Sequence, residues 1–178
     1  TNMNTFWRHG VYVGLAAKAI ATRTNCINTE RLFVVGLLHD IGRLTINARF
    51  SEIAEATIFK AAGDEQKLVL AEQETLGFDH AYLGALMLEN WNMPKATCDA
   101  IRYHHQPGAA KVTPVEASIL FAADRLANYS GTGSFSETVA EQDDIPTDIK
   151  SIIELPADFD HDELLEEVDM QFVETIYL

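Results

Sequence analysis

Leu37-Leu38-His39-Asp40-Ile41-Gly42-Arg43 closes an apolar run, Leu32 to Leu38, with two adjacent polar side chains and then a glycine. A histidine and an aspartate at the end of a buried helix are poor core residues. Burying either without a partner costs several kcal/mol, so other side chains must meet them. The chain has six histidines, and five of them, His9, His39, His80, His104 and His105, fall on apolar faces or near expected helix ends. Asp124 shares a helical face with Ala117, Leu120 and Phe121, where a core residue belongs. Only His161, in an acidic tail, stands apart. One histidine on an apolar face is usually a core residue bonded to a carbonyl. The joint pattern instead predicts a scaffold that gathers His9, His39, Asp40, His80, His104, His105 and Asp124.

That scaffold reads as all-α. Almost no stretch alternates with period two, whereas spacings of three and four recur throughout. A first helix is expected from Asn4 to Thr24, carrying His9. Thr29 is its successor's N-cap, and the second helix runs from Glu30 to Asp40 with Gly42 as its stop. Asn47 to Ser51 reads as a connector. Two helices follow, Ser51–Ala62 and Asp64–Leu76, the latter stopped by Gly77. Asp79 caps a helix from His80 through Leu88. Pro94 suits the first position of a helix reaching His105, which Pro107 ends. Thr113-Pro114-Val115-Glu116 has the form of a capping box opening a helix to Tyr129. Pro146 and Pro156 bracket a short helix. A last one, Asp162–Ile176, carries the stripe Leu165, Val168, Phe172 and Ile176, expected to pack on the bundle. The organisation expected is a helical core over 1–130, a linker over 131–146 and acidic C-terminal helices over 147–178.

Charge separates the same segments. Residues 1–136 hold 13 acidic and 12 basic side chains, whereas residues 137–178 hold 14 acidic ones against Lys150 alone. The acidic segment reads as a solvated surface, and no basic face suits duplex nucleic acid. The longest strongly apolar runs are about seven or eight residues, far short of the ~20 that span a membrane. No signal-peptide pattern opens the chain. Cys26 and Cys98 lack motif spacing and read as reduced thiols, so a cytoplasmic location is expected. The start at Thr1 rather than Met is expected of a fragment or processed product.

Imidazole and carboxylate ligands without thiolate suit divalent transition metals, iron or manganese first, then zinc, nickel or cobalt, rather than calcium. Adjacent helical residues point about 100° apart, so His39 and Asp40 can straddle two ions with Asp40 bridging. His104 and His105 can do the same. Two such ions ~3.5–4 Å apart activate water and neutralise phosphoryl charge in an in-line displacement. Arg43, one turn past Asp40, suits a phosphate oxygen as a bidentate donor. It also suits an ordinary surface position at a helix C-terminus. No Gly-x-Ser-x-Gly elbow or Gly-rich phosphate loop offers a different chemistry.

The order His9, His39-Asp40, Asp124 resembles the four-ligand signature of the HD metal-dependent phosphohydrolase superfamily. His80 and His104-His105 add a resemblance to the HD-GYP branch, which are cyclic-di-GMP phosphodiesterases. Over residues 4–130 the texture is most similar to the HDOD family, an HD-related output domain of bacterial signalling proteins. The phrases Phe6-Trp7-Arg8-His9, Gly36-Leu37-Leu38-His39-Asp40-Ile41-Gly42, Leu76-Gly77-Phe78-Asp79-His80 and Ala100-Ile101-Arg102-Tyr103-His104-His105 carry it. The resemblance implies an HD-like helical bundle with a metal site in its core, and a further helical segment upstream. It implies one ion on His9, His39, Asp40 and Asp124 and a second on Asp40, His80, His104 and His105. Asp40 and Arg43 would then serve catalysis on a nucleotide or cyclic dinucleotide. Arg43 stands where HD-GYP proteins have lysine, Gln106-Pro107-Gly108 replaces their Gly-Tyr-Pro, and Thr5 replaces their third-metal glutamate. Many HDOD domains have lost ligands and act as non-catalytic modules that bind signalling partners. Enzyme and output module are therefore the two functional classes expected.

Overall fold

The computed structural model describes residues 2–132, 145–156 and 158–177, and these are helical throughout, with no strand among them. The helices are α1 (Met3–Thr22), α2 (Thr29–Leu38), α3 (Ile41–Arg49), α4 (Ser51–Ala61), α5 (Glu65–Leu76), α6 (His80–Asn90), α7 (Lys95–Arg102), α8 (Pro114–Tyr129), α9 (Thr147–Ile152) and α10 (His161–Ile176). Of the linker expected over 131–146, residues 133–144 lie outside the described residues.

Helix α1 is the hub. Its buried side includes Phe6, His9, Tyr12, Val13, Ala17 and Ile20, too wide an apolar surface for one neighbour. It packs on α2, α8 and α10, while α3 packs on α6, α4 on α5, and α6 on α7. The acidic C-terminal helices contribute Ile149, Ile153, Leu164, Val168 and Phe172 to the same core as Val13, Leu32, Ile101 and Leu126. The expected stripe of the last helix is rotated slightly, with Leu164 fully buried and Leu165 only partly so. Tyr12 Oη donates to Asp169 Oδ1 at 2.8 Å, and Arg23 pairs with Glu167 at 2.7 Å. Those bonds tie the acidic helix to α1. Among the described residues no helix is long and apolar enough to cross a membrane. Both cysteines are free thiols, Cys98 buried and Cys26 half-buried.

Two caps shift by one residue, Asn28 rather than Thr29 preceding α2 and Pro94 preceding rather than opening α7. Three further local expectations fail for a tertiary reason. Gly42 does not stop the second helix. The chain turns at His39-Asp40, and Gly42 lies inside α3, covering part of the expected connector. A Cβ at Gly42 would press on the His80 carbonyl oxygen and lie 2.7 Å from Gly84 N; this glycine lets α3 and α6 touch along their backbones. Helix α7 ends at Arg102, before the histidine pair, because the chain tightens there, with His104 N on Ile101 O at 3.5 Å. The capping box does not form. Thr113 N and Oγ1 both donate to Asp99 Oδ2, at 2.9 and 3.2 Å, and Glu116 pairs with Arg31 instead.

Candidate metal centre

The breaks between helices aim the polar side chains inward. His39 and Asp40 occupy the turn between α2 and α3, His80 opens α6, and His104 and His105 follow α7. His9 and Asp124 project from the interiors of α1 and α8. His9, His39, Asp40, His80 and His104 are each at most 3% exposed, and Asp124 is 6% exposed. All seven predicted side chains meet. Ligand-type atoms lie within 4.8 Å of one another in three overlapping groups: His9, His39 and Asp124; His39, Asp40 and His104; His80, His104 and His105. Asp40 Oδ1 stands 3.6 Å from His39 Nε2 and 3.3 Å from His80 Nε2, between the outer groups. Asp124 Oδ1 lies 3.1 Å from His9 Nε2.

The chemistry of this donor set fits a metal. Four of the imidazoles have Nδ1 engaged by an acceptor that carries no hydrogen. His9 Nδ1 donates to the Thr132 carbonyl at 2.5 Å, His39 to Gly36 O at 2.6 Å and His104 to Ile101 O at 2.7 Å. His80 Nδ1 donates to Glu72 Oε2 at 2.6 Å. A neutral imidazole protonated on Nδ1 presents a lone pair on Nε2. All four Nε2 lone pairs therefore face the cluster. Outer hydrogen bonds of this kind fix the tautomer and ring angle of metal-binding histidines. His9 Nε2, His104 Nε2 and both Asp40 oxygens are buried without a hydrogen bond of acceptable geometry. Cations seated in the overlapping groups would supply the partners these atoms lack.

Electrostatics keeps the donors in their ligating forms. Burial lowers the His39 pKa, and burial with the neighbouring His39 and His80 charges brings His104 down to about 3. Burial, then His104, His80 and Arg43, holds His105 well below the usual imidazole range. For the acids burial works the other way and is outweighed. Arg43, His39 and His80 hold Asp40 well below the carboxylate range, and His9 and His39 bring Asp124 to about 2. Glu72 is lowered, its burial overcome by His80.

Arg43 is not a surface residue. It is 5% exposed, with Nε 3.0 Å from Asp40 Oδ2 and a second nitrogen paired to Glu65. Sequence reasoning missed Glu65, Glu72 and Asn128. Asn128 Nδ2 donates to Asp124 O at 2.9 Å and to Oδ1 at 3.1 Å. Glu72 carried a readable signal, since it lies four residues after buried Leu68 on one face of α5, a core position occupied by an acid. Glu65 looked like any acid in a helix's first turn. A cavity of about 720 Å³ opens beside the cluster, lined by residues 62–67 and by His105, Phe121, Asp124, Arg125 and Asn128. That is within the range of small-molecule sites.

Residues 1–107 match the model of the HDOD domain. An HDOD domain protein from Geobacter sulfurreducens, of known crystal structure, is 28% identical and superposes with a TM-score of 0.76 over 98% of this chain and 61% of its own. A phosphohydrolase candidate from Shewanella amazonensis is 27% identical, with a TM-score of 0.70 over 96% of this chain and 60% of its own. A response regulator from Methylococcus capsulatus has a TM-score of 0.65 over 93% of this chain and 62% of its own, and at 21% identity shares the fold alone. The chain thus spans about three fifths of each.

Proposed function

The chain belongs to the HDOD domain family, and on that premise we propose that it is a metal-dependent phosphohydrolase of a bacterial signalling protein, a phosphodiesterase acting on a nucleotide or cyclic dinucleotide. The observation that carries this reading is the convergence of four Nε2 lone pairs, each set by a bonded Nδ1, on two buried carboxylates. His9, His39, Asp40 and Asp124 would hold one ion, and Asp40, His80, His104 and His105 the second. Iron or manganese suits the donors best. When bound, such ions supply Lewis acidity and offset the charge that builds on a phosphoryl group.

The chain's own residues do the rest. Asp40 turns Oδ1 toward both halves of the cluster, while the Arg43 guanidinium lies against Oδ2 as an ion pair, its Nε at 3.0 Å, and favours that orientation. Arg43 orients Asp40 instead of reaching into the cavity. Asn128 orients Asp124 in the same manner. Core helices on the far side exclude water, leaving the cavity flanked by His105 and Asp124 for a phosphorylated ligand. The test is elemental analysis of protein purified without chelator or affinity-tag metal, followed by a phosphodiesterase screen. Near two transition-metal ions per chain and turnover that disappears in His39→Ala, with circular dichroism unchanged, are expected. Full activity in that variant would sink the proposal.

One observation favours a second reading. His80 Nε2 and His105 Nε2 stand 2.7 Å apart, and the Glu65 carboxylate that pairs with Arg43 lies 3.7 Å from each, so this half of the cluster can close on itself. The domain would then be an output module that docks a signalling partner, its metal structural or vestigial. That reading requires no phosphate-ester turnover, and partner binding that survives His39→Ala.

A further inference from the structure

The cavity beside the cluster holds two cationic side chains, Lys67 and Arg125, and they are not equivalent. Lys67 is exposed, and its Nζ already lies 3.2 Å from Asp64 Oδ2. Arg125 is half-buried on α8, directly after Asp124. Its Nε is buried with no hydrogen-bond acceptor among the described residues. Its Cζ lies 5.8 Å from the Phe121 ring centroid. Every other arginine that is not exposed has a carboxylate: Arg23 has Glu167, Arg31 has Glu116, Arg43 has Asp40 and Glu65, and Arg102 has Glu89. Among the described residues no carboxylate pairs with Arg125.

A cavity-lining guanidinium with no pairing carboxylate among the described residues is available to a ligand that brings acceptors. Guanidinium suits planar, bidentate recognition of phosphate. Asp64, Glu65 and Asp124 face the same cavity, so it is not broadly attractive to anions. Recognition of an anion there has to be local, and Arg125 is the side chain free to provide it.

We infer that Arg125 is the phosphate-recognition residue of this cavity, holding the phosphate oxygens of an organic phosphate whose body lies between α8 and the start of α5. The ligand class rests on the phosphohydrolase reading above; the residue assignment rests on the unclaimed guanidinium. Phosphate recognition thereby passes from Arg43, which two carboxylates hold, to Arg125.

The experiment is calorimetric titration of the full chain, at matched metal content, with AMP and with adenosine. The wild type is expected to bind AMP better than adenosine. Arg125→Gln should weaken AMP at least tenfold and leave adenosine unchanged, and Arg125→Lys should recover part of the loss, because it restores charge without the bidentate fork. Circular dichroism and metal content check that each variant is folded and loaded. AMP affinity within twofold of wild type in Arg125→Gln overturns the inference, as does a wild type that prefers adenosine or binds neither. Hydrolysis is scored separately. Arg125-dependent AMP binding without turnover of any phosphate ester rejects the phosphohydrolase reading and leaves the assignment of Arg125 standing.

Discussion

Replacing Glu72 by Gln isolates the charge that stands behind His80. One carboxylate oxygen of Glu72 accepts both the His80 imidazole Nδ1–H, at 2.6 Å, and the His80 backbone N–H, at 2.9 Å. Glutamine has the same shape, and its amide oxygen can take both bonds, so the ring stays in place with Nε2 facing the cluster. What changes is the negative charge, which makes the imidazole a stronger donor to a cation. Partners of this kind contribute about 10- to 100-fold in metal affinity. Because Gln keeps the geometry, about tenfold is expected, or ~1.4 kcal/mol. Glu72→Leu removes geometry as well and should approach 100-fold, ~2.7 kcal/mol. The metal-free fold should respond differently. Glu72 is 3% exposed; neutral Gln gives up the attraction to His80 but is spared the cost of burying a charge, and these oppose each other, so the stability of metal-free Glu72→Gln should lie within about 1 kcal/mol of wild type. Competition with a chelator of known affinity reads the first quantity, and urea denaturation of metal-free protein reads the second. Unchanged metal affinity in both variants would show that His80 is not a ligand, and the two-ion arrangement would fall with it.

Three further outcomes follow from the same geometry. Gly42→Ala places a methyl group against the α6 backbone, so it should destabilise the fold by about 1–3 kcal/mol and lower metal occupancy by moving Asp40 from His80; an unchanged thermal midpoint would refute that. Metal-free protein should lose stability as pH falls below 6.5. The folded pKa values of His39, His104 and His105 are depressed, so the unfolded chain gains protons that the fold refuses, and the neutral-pH stability is lost on the acid side; roughly 2–4 kcal/mol per pH unit between pH 6 and 5 is expected from two to three protons, and a flat urea midpoint over that range would contradict it. Tyr12→Phe removes the α1–α10 hydrogen bond to a charged acceptor and should cost about 1.5–3 kcal/mol in urea denaturation without altering metal content.

How much of this was legible in the sequence depends on which physical signal each feature uses. The helices, most of their boundaries and the inward placement of His9 and Asp124 follow from apolar spacing at three and four, because a helix that must bury one face writes that face into its sequence. The meeting of the seven polar residues was legible as well, since buried polar groups have to satisfy one another. Local propensity misled where backbone meets backbone. Gly42 reads as a stop because glycine usually ends helices, yet here it is needed for the approach of α6, and nothing in residues 37–43 reports the position of His80. Glu116 reads as a capping partner of Thr113 because the spacing is right, yet Arg31, far away in sequence, claims it.

Arg43 and Arg125 show why the roles within the site were harder to read than its members. By sequence, Arg43 is the phosphate candidate, one turn from Asp40, while Arg125 is only the polar neighbour of a core acid. Assignment turns on which carboxylates lie within reach, and that depends on contacts across helices. Glu65, on α5, captures Arg43, whereas Arg125 points about 100° away from its neighbour Asp124 on α8, and Asn128, one turn beyond, donates to that acid. A guanidinium held between Asp40 and Glu65 has its charge offset twice and turns no free fork toward the cavity. A guanidinium near Phe121, with no carboxylate among the described residues, keeps its charge for a ligand. The same accounting explains the short His80–His105 contact. His80 Nδ1 is committed to Glu72, so its Nε2 is an acceptor, and His105 Nε2 must either donate a proton to it or share a cation with it. The depressed pKa of His105 keeps that ring neutral, so both answers are available to one geometry. Metal analysis therefore decides more than occupancy: it decides whether this end of the cluster is held by a hydrogen bond or by an ion.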